Sequence, residues 1–353
     1  MKIHRLLAVV IAGIVVGVGA QRTALAGFSA EPQLVILDTD IGDDIDDAFA
    51  LALALHSPEL QILGVTTTFG DTELRARLVE RYLAAVGRSD IPVVPGVPTP
   101  HHNVFTQAAY ARSKDFCSHC GGAVSMLFTN QMEADSARLA EQRKHDDAAG
   151  FLLEQIRQHP GEITLIAIGP LTNVQAAIER DPATFRKLKR VVLMGGSVYR
   201  GYGGTPGAPR PAEPEWNFLC DPAGAKALLA VGVPVFIMPL DSTQIALPTE
   251  DREKIFAHGS PLTDQLTLLY HQWVAGTENH SPAPTLFDPV AVTYAFRPDL
   301  CPAKPMRLEI DANGLSRPVE GAPNAQVCLQ SDEKGFLGLL MERITAEAAS
   351  PAR

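Results

Sequence analysis

Two periods of apolar and polar residues alternate along this chain. Short apolar runs, which read as buried strands, are each followed by a stretch with apolar positions at helical spacing. The pattern predicts strand Leu34 to Leu37 then helix Asp47 to His56, and strand Ile62 to Thr67 then helix Thr72 to Val86. A short strand at Ile91 to Val94 follows. Further on it predicts helix Ala148 to Gln158, strand Ile163 to Ile168, helix Leu171 to Glu179, strand Val191 to Met194, helix Ala223 to Ala230 and strand Val233 to Met238, with an apolar helix at Val290 to Phe296. Such alternation implies an α/β fold, an open and mostly parallel sheet with helices on both faces. Two stretches poor in regular signals, Pro95 to Gln142 and Tyr199 to Pro214, read as long loops on that body.

The turn between the first strand and the first helix carries six aspartates within ten positions: Asp38, Asp40, Asp43, Asp44, Asp46 and Asp47. A helix cap uses one side chain, so capping does not account for the set. Like charges this close raise one another's pKa or need a counter-charge, and no Lys or Arg lies between Glu31 and Arg75. A hard cation answers that need. The spacing excludes an EF-hand: counting from Asp38, the sixth position is Asp43 and the twelfth is Phe49, where that loop needs Gly and Glu. An Asp-x-Asp after a strand also fits a phosphatase of the haloacid-dehalogenase type, with Asp38 as nucleophile and Mg²⁺ as cofactor.

In a parallel sheet, ligands sit beyond the carboxyl ends of the strands. Collected there are Thr67 to Asp71, Gly169 to Asn173, Gly195 and Gly196, and Asp241. Glu213 to Asp221 and Phe287-Asp288 join them. A cap or turn is the plain explanation for any one of these. It does not explain their joint placement.

Charge and the chain start narrow the class. Residues 1–26 have a basic start (Lys2, Arg5), an apolar run from Leu6 to Ala20 and the small-x-small site Ala24-Leu25-Ala26, the layout of a cleaved secretory signal peptide. Its apolar core is shorter than a membrane span of about 20 residues. Residues 27–353 are then expected as one α/β domain, periplasmic or secreted, with no membrane anchor. Loss of Lys2, Arg5 and Arg22 takes the formal charge from −10 to −13, a poor balance for a nucleic-acid binder. Of five cysteines, Cys117 and Cys120 read as a local disulfide; Cys301 and Cys328 are candidate partners, which leaves Cys220 free.

With these motifs in hand, the chain resembles the nucleoside hydrolases of the inosine-uridine-preferring type. The markers are DTDIGDDIDDA from Asp38, TTFGD at 67–71, AIGPLTN at 167–173, MGG at 194–196, EWNFLCDP at 215–222 and FDPVAV at 287–292. The resemblance implies an open, mostly parallel sheet, Ca²⁺ at the end of the first strand, and hydrolysis of a ribonucleoside to free base and ribose. It implies that Asp40 ligates the metal and takes the proton of the attacking water, and that Asp47, Asp288 and the Ile168 carbonyl complete the protein ligands. Asp46, Glu215 and Asn217 are implied to hold ribose hydroxyls. A nest of carboxylates suits the oxocarbenium-like centre of glycosidic cleavage.

Three departures stand out. The family's Gly-x-Asp-Asp-Ala is here two residues longer; its aspartate pair is assigned to Asp46 and Asp47, which abut the helix, with Asp43 or Asp44 as a substitute. Asp71 stands where the family often has Asn, and is expected to accept a ribose hydroxyl. Phe287 stands where a His often precedes the last metal Asp, and that removes one leaving-group acid. His101, His102, His271 and His280 are the remaining histidine candidates, His280 and His102 foremost, while Phe287 and Trp273 offer stacking instead. A non-catalytic nucleoside-binding protein is a third reading, disfavoured by the presence of Asp40. A small nucleoside is the expected partner, along with a second copy of the chain.

Overall fold

The computed structural model describes residues 31–100, 105–112, 147–205, 208–276 and 283–346; side chains are described except at 112, 204–205 and 208–209. The chain divides into a short unit, Met1–Glu31, and a unit, Pro32–Arg353, which carries every element below. The expected signal peptide, the Cys117/Cys120 pair, His101, His102 and His280 lie outside the described residues.

The first half follows the predicted alternation, with β1 (Gln33–Thr39), α1 (Asp46–Leu55), β2 (Leu60–Thr67), α2 (Thr72–Ala85) and β3 (Val93–Pro95), then an unforeseen short helix α3 (Ala108–Arg112) inside the first expected loop, and again as predicted α4 (Ala148–Gln158), β4 (Thr164–Ala167) and α5 (Thr172–Arg180). After α6 (Pro182–Phe185) come β5 (Arg190–Met194), a two-residue hairpin β6 (Gly204–Thr205) and β7 (Ala208–Pro209) inside the second expected loop, α7 (Trp216–Cys220), α8 (Pro222–Val231), β8 (Val235–Met238) and α9 (Leu240–Thr243). Unforeseen elements follow: α10 (Thr249–His258), α11 (Pro261–Gly276), β9 (Ala303–Met306), β10 (Leu308–Ile310), β11 (Ser316–Pro318), β12 (Ala325–Cys328) and α13 (Glu333–Ile344). Between α11 and β9, the helix expected from Val290 starts earlier, as α12 (Phe287–Phe296), and so places Asp288 in its first turn.

Eight strands form one sheet in the order β3-β2-β1-β4-β5-β8-β12-β9. Every neighbouring pair is parallel except β12 with β9. Successive strand residues point to opposite faces, and both faces are covered. On β1, Val35 and Leu37 join the apolar core shared with α1, α2, α11 and α12, whereas Ile36 joins the core of α4, α5 and α8. β5 divides likewise, Val192 and Met194 to one side, Val191 and Leu193 to the other. The strand order places the functional crevice. From β1 the chain steps outward to β2 and β3, then returns to lay β4 on the other side of β1 and continues through β5 and β8. The connections leaving β1 and β4 therefore diverge, and the gap beyond their carboxyl ends is the switch point at which such sheets bind ligands.

Cys301 and Cys328 form a disulfide, and Cys220 is a free thiol, as the sequence suggested.

Candidate active site

A cavity of about 460 Å³ opens at the switch point, and its walls come from distant parts of the chain. The β1–α1 turn contributes Asp40, Asp43, Asp44, Asp46 and Asp47; Ile168 follows β4 and Met194 ends β5; Glu215, Trp216 and Asn217 start α7; Trp273 lies in α11, and Phe287 and Asp288 begin α12. Thr106 and Tyr202 complete the polar lining.

Asp46, Asp47 and Asp288 offer carboxylate oxygens that all lie within 4.8 Å of one another, and all three are buried. Local structure brings them together: α1 and α12 pack side by side with their first turns adjacent, and the Asp288 amide donates to the Asp46 carboxylate at 3.3 Å. The Thr39 hydroxyl donates to Asp47. Burial first, and then the charge of a neighbouring aspartate (Asp44 on Asp46, Asp40 on Asp47, Asp46 on Asp288), holds all three acids well above the usual carboxylate range. Asp40, also buried, is pushed up to about 7 by desolvation, while Arg75 pulls the other way. Four buried acids facing one cavity form a donor set that fits a hard cation and is costly without one. The expected ligand set named Asp40 beside Asp47 and Asp288, but the tightest triple among the described residues contains Asp46. Gly169, after β4, lets that strand end approach the acids, since a Cβ there would stand 2.8 Å from Asp40 Oδ1 and 2.9 Å from its amide nitrogen.

The two extra residues of the turn are accounted for by Arg75, which the local sequence lacked and α2 supplies. Its side chain is fully buried. The guanidinium donates to the Asp43 carboxylate at 3.0 Å, to the carbonyls of Phe69 at 2.7 Å and Ile41 at 3.0 Å, and to that of Asp40. Asp43 is thus bound as a counter-ion, and Asp44 accepts from the neighbouring Ile45 amide at 2.7 Å. Asp46 and Asp47 remain as the pair at the helix start. Sequence reading missed Arg75, although a signal existed: it shares the buried stripe of α2 with Leu78, Val79 and Tyr82, so a charge sat on an apolar face and needed an acidic partner.

Glu215 and Asn217 reach the cavity from the start of α7. Glu215 caps that helix: its carboxylate accepts the amides of Asn217 at 2.8 Å, Phe218 at 3.2 Å and Gly196 at 2.7 Å. Burial nevertheless pushes it up to about 7. The Asn217 amide nitrogen donates to the Met194 carbonyl at 3.1 Å, which leaves its Oδ1 as an acceptor for a ligand. Aromatic walls surround this polar floor. Trp216 stands edge-on to Phe69 at 6.0 Å, and Tyr202 edge-on to Phe287 at 6.0 Å. Phe69 holds a left-handed backbone, φ 61°, an uncommon state for a bulky residue, under its carbonyl's bond from Arg75. Trp273 and Phe287, the expected stacking residues, both line the cavity; Tyr202 was not foreseen.

Four expectations are corrected. Asp38 is fully buried, is absent from the cavity wall, and accepts from Thr66 at 2.6 Å and Asn173 at 2.7 Å, so it supports the turn from below and has no access to a phosphate ester. Asp71 caps α2 through the Leu74 amide at 2.9 Å and is exposed, outside the cavity lining. Asp241 likewise serves structure, accepting from Val198 and Tyr199 at 2.8 and 2.9 Å. His271 lies exposed on α11 and does not line the cavity.

Comparison with known proteins agrees with this geometry. A family model described as inosine-uridine preferring nucleoside hydrolase matches residues 35–338. Uridine nucleosidase 1 of Arabidopsis thaliana is 30% identical over 80% of this chain and 79% of its own. The pyrimidine-specific ribonucleoside hydrolase RihA of Citrobacter koseri is 29% identical over 89% of this chain and 99% of its own. Among solved structures, a plant nucleoside hydrolase superposes with a TM-score of 0.72 at 25% identity, covering 90% of this chain and all of that one.

Proposed function

The chain belongs to the inosine-uridine preferring nucleoside hydrolase family and is a ribonucleoside hydrolase, and on that premise we propose a calcium-dependent mechanism in which Asp40 is the base. The observation that carries the reading is the convergence of Asp40, Asp46, Asp47, Asp288, Glu215 and Asn217 on one cavity at the switch point. Asp40, Asp47, Asp288 and the Ile168 carbonyl would hold the cation, an all-oxygen set of the kind Ca²⁺ prefers. When bound, calcium would neutralise these acids and make a nearby water more acidic.

The protein's own residues then act in order. Asp46, Glu215 and Asn217 accept or share the ribose hydroxyls and set C1′ facing Asp40. Asp40 takes a proton from water, the water oxygen bonds C1′, and the C1′–N bond breaks with its electron pair leaving on the base. The surrounding carboxylates favour the positive charge that develops on the ribosyl group. Trp273, Phe287 and Trp216 form the apolar wall on which a departing base can stack. The relatives described above are named for uridine and pyrimidine nucleosides, so uridine is the first substrate of choice.

Export is part of the proposal: cleavage after Ala26 would deliver the chain to an oxidising compartment, in keeping with the Cys301–Cys328 disulfide. Mass spectrometry should find a mature form beginning at Gly27. Incubation with uridine, inosine and guanosine should release free base and reducing sugar, a chelator should stop the release, and calcium should restore it. Chelator-resistant turnover would refute the metal dependence.

A further inference from the structure

Tyr202 occupies the cavity with no role in the mechanism above. The polar lining there is dominated by carboxylates, which only accept hydrogen bonds when ionised, and the Asn217 amide nitrogen is committed to Met194. Tyr202 differs. Its hydroxyl oxygen accepts the Trp216 amide at 2.9 Å, so the oxygen is fixed and its hydrogen remains to be donated elsewhere. Trp216 lies between Glu215 and Asn217, so that bond brings the phenol to the start of α7, on the wall that carries Glu215. Its ring is set against Phe287 at 6.0 Å, which fixes the phenol from the other wall. Burial first, and the negative charge of Glu215 next, raises the phenol above its ordinary range, and it therefore stays protonated at working pH.

A donor beside an acceptor suits a single atom that both gives and takes a hydrogen bond, and in uridine the atoms that do so are the hydroxyl oxygens of the sugar. An alcohol both gives and takes a hydrogen bond; an ether oxygen only takes one, and a phosphate would meet the charge of Glu215. We propose that Tyr202 contacts substrate and determines specificity, donating its hydroxyl hydrogen to a sugar hydroxyl whose own hydrogen is directed to Glu215. The proposal rests on the hydrolase reading and deepens it, since it names the part of the nucleoside that this wall reads.

Tyr202→Phe keeps the ring and its contact with Phe287 and removes only the hydroxyl. Calorimetry with uridine and its 2′-, 3′- and 5′-deoxy analogues, in the presence of calcium, would compare the slow-turnover variant Asp40→Asn with the double variant that adds Tyr202→Phe. Loss of one hydrogen bond should weaken uridine binding about tenfold. One deoxy analogue, the one lacking the recognised hydroxyl, should bind both proteins equally, while the other two should repeat the tenfold loss. Equal loss on all four ligands would mean that the hydroxyl serves only the Trp216 amide, and would overturn the proposal; so would no loss on uridine. Wild-type turnover of uridine, followed in parallel, reports separately on the hydrolase reading. Selective loss of binding without any turnover would sink that reading alone, and absence of uridine binding would sink both.

Discussion

Replacing Arg75 by Met tests the claim that this residue, far from the aspartates in sequence, holds their turn in shape. The substitution keeps the buried volume close to that of the arginine stem and removes every donor. Asp43 loses its 3.0 Å partner, and the carbonyls of Asp40, Ile41 and Phe69 lose theirs. Removing one partner of a buried ion pair costs ~3–5 kcal/mol. Asp43 keeps 15% of its side chain exposed, so water can take up part of its charge, and the low end, ~3 kcal/mol, is the expected loss. With an unfolding entropy of ~2.1 cal/mol/K per residue, that corresponds to a fall in Tm of roughly 5 °C. Urea titration in the presence of chelator separates this from any effect of a cation. Asp43→Asn in the Arg75→Met background should recover part of the loss, giving a coupling of ~1–3 kcal/mol. A loss under ~0.5 kcal/mol, or strict additivity of the two changes, would refute the assignment of Arg75 as the counter-charge.

Other outcomes follow from the same structure. Asp47→Ala and Asp288→Ala should each lose calcium affinity and turnover together, whereas Asp40→Asn should keep measurable calcium binding and lose ~10²–10⁴-fold in kcat; unchanged calcium affinity in both alanine variants would remove them from the ligand set. Asp38 at about 6, with Asp40 and Glu215 at about 7, sits above the ordinary carboxylate values. A group raised on folding contributes stability that is complete below its unfolded pKa and is lost as pH rises through the folded one. The chelated protein should therefore lose Tm steadily from about pH 4 to about pH 7, and calcium should offset the loss most at the upper end; a chelated Tm that climbs across this window would contradict it. Serine at both Cys301 and Cys328 should cost ~3–4 kcal/mol on the chain-entropy estimate for their loop, and unaltered urea midpoints would show the tie to be idle.

What could be read from sequence alone followed the range of the signal. The β1–α1 turn and Asp288 were found because each stands directly after a strand or beside a helix start, where local spacing is informative, whereas Glu215 and Asn217 were found through the resemblance of the motif around Trp216. Asp71 was misplaced for the same reason: a helix start offers both a cap and a ligand position, and the exposed cap prevailed. Arg75 meets Asp43 across 32 residues, and Tyr202 meets Trp216 across 14 and Phe287 much farther along the chain, and only tertiary packing brings them there. The C-terminal strands β9 and β12 went unseen because each has four residues, with half-exposed positions that blur the two-residue period.

The two borders of the sheet are finished differently. At one, β3 has three residues and ends in Pro95, so it offers few free amides to a passing chain. At the other, β9 runs antiparallel to β12, and the disulfide joins Cys301, two residues ahead of β9, to Cys328, its partner strand's last residue. The bridge works there as a clasp on the border strand. Were it reduced, β9 could peel away and leave the amides and carbonyls of β12 open to pairing with a neighbouring molecule. Production in a reducing compartment should for that reason favour clumping of folded protein over simple loss of activity, with the border strand as the point of adhesion.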